Sequence, residues 1–326
     1  NRRDLAMKIL ILGGHGFIGH NVAHQLIELG HHIEVVDIHH QYGEYEDWEY
    51  QPVIKQRMDF IGSHAEWNVD VSEPDRLRWV FAMVQPDIVI DLATYPNAKM
   101  VKKNVIDATT NMIAATAVAL DLCAEFKVQR FVLASSSMVY GDFGGNIPNE
   151  TAECNPLTLY GSYKLQCERM CKIWQHEHGL EYSILRPSAL YGVRDMVVRV
   201  ISKMTVGAIK TGRIHVNGPD NRLDFSYVTD VAAAFVTAAV HPAAANAIFN
   251  CTRGQGRTII EAAELIAARI PAEIITQPHD DFYPNRDTLD SDKLKTVTDW
   301  NPTISLESGV AQYLDWFVAQ EFVAQF

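Results

Sequence analysis

The sequence lacks any Cys-x-x-Cys pair, and its five cysteines, Cys123, Cys154, Cys167, Cys171 and Cys251, are odd in number. A disulfide framework and a structural zinc site are both disfavoured, and a reducing cytoplasm is the expected compartment. Cys167 and Cys171, four apart on a predicted helix, read as small buried side chains. No apolar run approaches the roughly 18 residues of a membrane-spanning helix. The opening Asn1-Arg2-Arg3-Asp4 has no apolar stretch of a signal peptide, and Met7 is a candidate natural start. Positive charge is scarce: 28 Lys and Arg stand against 40 Asp and Glu, a formal net charge of −12. Nucleic acid and anionic membrane, which both need a basic face, are excluded as expected partners. A local basic pocket for a diphosphate is still compatible with that balance. Internal repeats and low-complexity tracts are absent.

What is present is globular: 326 residues, 48% hydrophobic and 21% charged. That length suits one large domain with a smaller lobe. Of the 13 histidines, His20 and His24 have the i,i+4 spacing of helical metal ligands. No Glu lies between them and no third ligand is apparent, so they read as solvated helix-face residues and no metal site is expected. His31, His32, His39 and His40 bracket a short strand and read as loop residues.

Along the chain, short apolar runs alternate with helical spacing. Strands are predicted at 8–13, 32–38, 65–70, 87–93, 130–135 and 182–186, and helices at 17–29, 73–84, 104–126 and 157–178. Residues 39–64 are polar, acidic and aromatic and read as a loop with at most one short element. Strands alternating with helices of 12 or more residues imply a parallel sheet covered on both faces, an α/β doubly wound Rossmann arrangement. After Pro187 the pattern loosens into helices near 196–210, 230–240, 258–270 and 305–318. The expected division is a dinucleotide-binding domain over 1–187 to which 224–250 returns, and a substrate lobe from 188–223 and 251–326.

Between the first strand and helix stands Gly13-Gly14-His15-Gly16-Phe17-Ile18-Gly19. Glycines let the backbone turn tightly against a pyrophosphate, and the helix N-terminus offers free N–H groups and the positive end of its dipole. Alone this motif is weak; after a strand and before a helix at the chain start it is strong. Asp37 ends the second strand 18 residues past Gly19. Its carboxylate suits ribose hydroxyls and repels a 2′-phosphate, so NAD is expected rather than NADP.

Tyr160 and Lys164 are four apart on one face of a predicted helix, 24 residues after Ser136 in Ser135-Ser-Ser137, which closes the fifth strand. An ammonium beside a phenol favours the phenolate, which can take a proton from a substrate hydroxyl while hydride leaves the same carbon. Tyr95-Pro-Asn-Ala-Lys99 repeats the spacing and reads as a chance match in a loop.

Taken together, the glycine loop, Asp37, Ser-Ser-Ser-Met-Val-Tyr-Gly141, Tyr160-x-x-x-Lys164, Leu185-Arg-Pro-Ser-Ala-Leu-Tyr-Gly192, Leu223-Asp-Phe-Ser-Tyr-Val-Thr-Asp230 and Asp299-Trp-Asn-Pro302 resemble the extended short-chain dehydrogenase/reductases, in their NAD-dependent nucleotide-sugar epimerase/dehydratase branch. The resemblance implies Ser136 as catalytic serine, Tyr160 as base and Lys164 as its partner. Cofactor contacts are expected at Gly13, Gly16, Phe17, Ile18, Gly19 and Asp37, on the adenine side at Asp70 and Val71, and further at Leu92, Ala93, Asn111, Tyr160, Lys164 and Pro187. Substrate contacts are expected at Ser137, Ala189, Arg222 and Arg286, the last on the sugar-nucleotide diphosphate. A homodimer through a four-helix bundle of 104–126 and 157–178 is also implied.

Five positions depart from the pattern. Ser137 and Met138 replace the Asp-Glu pair that supplies acid and base in 4,6-dehydratases, which disfavours that reaction. Ala189 replaces an asparagine and Leu223 an arginine that usually touch the sugar nucleotide, and Asp91 stands where many relatives carry His. The implied activity is epimerisation of a nucleotide-activated sugar, at C4 through a transient keto sugar. A sugar-nucleotide dehydrogenase or 4-keto-sugar reductase uses the same residues, and a non-catalytic NAD-binding regulator is the reading from another class. Taken singly, Arg186, Arg194 and Arg222 could each be surface charges.

Overall fold

The computed structural model describes residues 6–41, 46–196 and 199–326. In chain order the elements are β1 (Lys8–Leu12), α1 (Gly19–Glu28), β2 (His32–Val36), α2 (Asp47–Ile61), β3 (Ala65–Trp67), α3 (Pro74–Val84), β4 (Ile88–Asp91) and α4 (Ala98–Lys103). Next, α5 (Val105–Thr109) runs through a π turn at Thr110–Ala114 into α6 (Ala115–Glu125), followed by β5 (Arg130–Ala134), α7 (Leu159–His178), β6 (Glu181–Arg186) and β7 (Leu190–Tyr191). The remainder is α8 (Val200–Thr211), β8 (Arg213–Asn217), β9 (Arg222–Asp224), β10 (Ser226–Tyr227), α9 (Val228–Val240), β11 (Ala247–Asn250), β12 (Gly256–Thr258), α10 (Ile259–Ala267), β13 (Glu273–Gln277), α11 (Asp292–Val297) and α12 (Leu306–Val318).

Seven parallel strands form the central sheet in the order β3-β2-β1-β4-β5-β6-β11. Ile9, Leu10, Ile11 and Leu12 of β1 are buried on both faces, as expected for a central parallel strand. On one face α1 and α9 pack through Val22, Leu26 and Phe235. On the other, α3, α6 and α7 pack through Leu77, Phe81, Leu120, Cys123, Cys167 and Cys171. Winding reverses between β1 and β4, so the crevice at their carboxyl ends is the place for a ligand. The smaller lobe gathers α8, α10, α12 and the parallel pair β8–β13 around Ile201, Ile214, Val216, Ile266 and Phe317. α9 and β11 return from the lobe to the main sheet.

Several expectations are corrected. Most of 46–61 is the 15-residue helix α2, not loop. Tyr50, Val53, Ile54 and Ile61 follow helical spacing, but the first three face the lobe core rather than the sheet, and Pro52 interrupts the pattern. Its start is a reciprocal cap in which the Glu46 N–H donates to the Glu49 carboxylate at 2.7 Å. His20 is not solvated: it is fully buried, with Nδ1 2.9 Å from the Gly16 carbonyl oxygen, while His24 is half-buried against Phe60. His32 opens β2. Arg186 is not a surface charge but a buried partner of Glu168 at 2.6 Å. Residues 42–45 of the expected loop and 197–198 of the expected helix lie outside the described residues.

By length and composition one helix, Val105–Glu125, could cross a membrane, which the count of consecutive apolar residues did not register. One side of it is core: Ala115, Ala119, Leu120 and Cys123 are buried.

Candidate active site

A cavity of about 610 Å³ opens at the β1/β4 switch point and runs under the lobe. At its floor, Gly13 adopts φ +76° and donates its N–H to the Val36 carbonyl at 2.8 Å. A side chain on Gly16 would come to 2.9 Å of the Gly13 carbonyl oxygen, and one on Gly19 would collide with it. Only glycines permit this turn. α1 begins without a side-chain cap and without an acidic residue in its first turn, leaving its N–H groups and dipole to an anion. Asp37 follows β2, its two oxygens accepting the backbone N–H groups of His15 (2.9 Å) and His39 (2.8 Å). Two lone-pair sites on that carboxylate remain for ribose hydroxyls. The cradle therefore fits the diphosphate and adenosine ribose of NAD.

At the other end of the cavity lie Ser136, Tyr160 and Lys164. Ser136 caps a 3-10 turn, its Oγ accepting the Met138 N–H at 3.2 Å, so the hydroxyl proton is available to a ligand. Thr158 caps α7 through the Gly161 N–H at 3.2 Å and sets where Tyr160 leaves the helix. Lys164 is buried, donates to the Ala134 carbonyl at 2.7 Å and lies 5.9 Å from the centroid of the Tyr160 ring. Asp91, at the end of β4, accepts from the Thr116 hydroxyl at 3.1 Å. Burial raises its carboxyl to about 6, against the pull of the nearby Lys164 ammonium.

A buried network joins the strand ends beneath these groups. Glu168, one helical turn beyond Lys164, accepts from Ser135 and, through both its oxygens, from Arg186 at 2.8 and 2.6 Å. Arg186 also donates to the Tyr140 hydroxyl (2.8 Å), which donates to Asn250 on β11 (2.8 Å).

Every residue expected from sequence to touch cofactor or substrate lines this one cavity. Asp70 is partly engaged, one oxygen accepting from the backbone and hydroxyl of Ser72. Asn111 lies in the π turn and donates to the Asp107 carbonyl at 3.1 Å. Ser137 is buried against Ser188 and accepts from Arg286 at 3.4 Å. Arg286 is half-buried, its Nε is enclosed and unpartnered, and desolvation lowers its pKa from the ordinary value. Arg222 pairs with Asp287 and the Gly256 carbonyl at the cavity rim.

Outside the cavity lining, Arg194 stacks its guanidinium 3.9 Å from the Phe60 ring centroid. The second Tyr-x-x-x-Lys match is no inert loop: Lys99 sits on α4, lines the cavity and pairs with Asp280 at 2.7 Å. Arg57, Arg199, Lys203 and His279 were not foreseen on the cavity wall. Arg57 comes from the unforeseen helix, and the others follow Pro187, where no motif spacing marks them.

A doubly wound sheet with a glycine cradle at its switch point, and Ser, Tyr and Lys on the same cavity, defines an extended short-chain dehydrogenase/reductase that uses NAD. More particularly, the chain belongs to the NAD dependent epimerase/dehydratase family, whose model matches residues 9–252. It is 28% identical to Protein CapI of Staphylococcus aureus, covering 96% of this chain and 98% of that one. It is 27% identical to UDP-glucuronic acid decarboxylase 1 of Danio rerio, over 95% of this chain and 72% of the other. The crystal structure of UDP-glucose 4-epimerase from Thermotoga maritima with UDP-glucose superimposes with a TM-score of 0.85 at 25% identity, covering 96% and 99% of the two chains. The chain is thus an NAD-dependent enzyme of the nucleotide-sugar epimerase/dehydratase family.

Proposed function

We propose that this enzyme epimerises a nucleotide-activated sugar, at C4, through a transient keto sugar. The observation that carries the reading is that Tyr160, Lys164 and Ser136 face the cavity that also holds the glycine cradle. Gly13, Gly16, Gly19 and Asp37 would hold NAD, which when bound would supply a reversible hydride acceptor at the sugar carbon. Tyr160 removes the proton from the hydroxyl on that carbon and later returns it. The Lys164 ammonium offers positive charge to the phenolic oxygen. Ser136, whose Oγ accepts the Met138 N–H and whose own proton is free, donates to the reacting oxygen. The unpartnered Nε of Arg286 and the rim guanidinium of Arg222 suit the substrate's diphosphate. Water elimination is disfavoured: Met138 carries no acid, and Ser137 is held by Ser188 and Arg286.

Supporting a homodimer, Ile106, Val105 and Ile173 expose apolar surface on α5 and α7, and less than half of the apolar helix Val105–Glu125 is buried within the chain. A second copy joined through these helices would cover it.

The test offers the purified protein NAD⁺ with UDP-, dTDP-, GDP- and CDP-sugars and follows product mass and proton NMR. A new sugar of unchanged mass, absent with Tyr160→Phe, supports the epimerase. Net NADH formation or consumption with a matching mass change replaces it by a dehydrogenase or reductase, and loss of water or carbon dioxide by a lyase.

A further inference from the structure

The loop between the glycine cradle and the second sheet edge holds a histidine cluster that the reaction does not use. His15, inside the glycine motif, is only 1% exposed. Its Nδ1 lies 2.7 Å from His39 Nε2, and its Nε2 lies 2.9 Å from His64 Nε2. His64 Nδ1 lies 2.8 Å from the Gly62 carbonyl oxygen. That carbonyl only accepts, so with all three rings neutral the proton positions follow. His64 carries its proton on Nδ1 and presents a bare Nε2, His15 must then donate from Nε2, and His15 Nδ1 is left bare. Burial, then the neighbouring His39 and His64, lower the His15 pKa to about 4, so its ring is neutral at pH 7. Glu66, on β3, brings a carboxylate oxygen to 3.8 Å of His15 Nε2. One ring nitrogen of His15, one of His39 and one oxygen of Glu66 all lie within 4.8 Å of one another.

We propose that His15, His39 and Glu66 bind one divalent transition-metal cation of the zinc class at the adenosine end of the cavity, with His64 orienting His15. Two imidazoles and one carboxylate are a recurrent ligand set for such ions, with ligand atoms about 2.0–2.2 Å from the metal and a fourth position open. Ligand atoms at those lengths stand ~3.3 Å apart in a tetrahedron, so ring rotations together with a swing of the Glu66 side chain would bring this trio into range. On binding, His39 moves its proton from Nε2 to Nδ1 and ligates through Nε2, His15 ligates through Nδ1, and the half-exposed Glu66 side chain, whose oxygen lies beside His15 Nε2, swings round to the Nδ1 side. The His15 Nε2–H to His64 bond is kept, the arrangement that fixes a ligating histidine's tautomer and orientation. The backbone N–H groups of both histidines are already pinned by Asp37. The cation would tie the β1–α1 loop, the end of β2 and β3 together behind the NAD cradle.

The test titrates the chelator-treated full chain with Co²⁺, read by visible absorption and calorimetry, with Zn²⁺ as competitor. Expected are the intense visible bands of four- or five-coordinate Co²⁺, one ion per chain, and displacement by Zn²⁺. His39→Ala and Glu66→Gln should each weaken binding at least tenfold, and His64→Ala about tenfold through lost orientation. His178→Ala, on the exposed end of α7, should leave it unchanged. Thermal melts establish that each variant is folded. A pale octahedral spectrum like that of the free ion overturns the proposal, as does binding that His39→Ala and Glu66→Gln leave intact. No sugar turnover enters these readings, so they stand apart from the epimerase test.

Discussion

Tyr95 and Tyr160 each stand four residues before a lysine, yet their surroundings make them chemically different. Tyr95 is buried and donates its hydroxyl proton to Asp107; burial first, and then that carboxylate, push its phenol up to about 12. It cannot serve as a base near neutrality. Tyr160 instead faces the cavity with the Lys164 ammonium over its ring. Tyr160→Phe should lower kcat by about 10²–10⁴-fold while NAD still binds, and Tyr95→Phe should leave kcat essentially unchanged, as steady-state assays and cofactor titration will show. Asp91 supplies a pH-dependent prediction. Its folded pKa of about 6 lies above the ordinary 3.8, so the protonated form favours the fold. The corresponding stability is fully present below about pH 4 and is lost as pH rises through 6. Asp91→Asn, which mimics the protonated acid, should therefore gain about 1–3 kcal/mol over the parent at pH 8 and nothing below pH 4. Urea melts across that range check it. At this scale the sequence was readable where chemistry imposes spacing, as in Ser136, Tyr160 and Lys164. It was unreadable where burial decides the role, as with His15, His20 and Arg186.

Between elements, the catalytic geometry depends on how closely α7 approaches the serine turn. Gly161, between Tyr160 and Lys164, makes that approach possible: a side chain there would collide with the Met138 carbonyl oxygen. Gly161→Ala ought to favour an isolated helix by ~1 kcal/mol. Here it should instead push α7 off the Ser136 turn and lower kcat about 10²-fold, the usual consequence of an ångström's misplacement. A rise in melting temperature with kcat unchanged would show the contact to be loose. Most elements were legible because central parallel strands are continuously apolar and the helices between them are long. α2 escaped because Pro52 and the acidic start resemble a loop, and because three of its apolar residues face the lobe rather than the sheet. The lobe's short strands, β7, β9, β10 and β12, are two or three residues each, too short for any periodicity to mark.

For the molecule as a whole, the pairing of helices on α7 leaves a surface that the single chain does not cover. The helix from Val105 to Glu125 is apolar enough to resemble a membrane span, yet only 39% of its most apolar window is buried. Ile106 is 83% exposed, and Ile173, on the neighbouring α7, is 45% exposed. Exposed large apolar side chains on two neighbouring helices are surface that a second copy could cover. Tyr160 and Lys164, the proposed catalytic pair, lie on the same α7, so a second copy packed on that face would brace the site from behind. The wild-type chain is therefore expected to run at twice its 36.6 kDa mass by size exclusion with light scattering. Ile106→Glu would place a charge on that exposed apolar face, which a second copy would have to bury, and should halve that mass. Ile147→Glu, at an isoleucine 62% exposed but in a loop outside these helices, should leave the dimer intact. A wild-type chain that is already monomeric at micromolar concentration would remove the pairing, and α7 would then hold Tyr160 in place through the core contacts of a single copy.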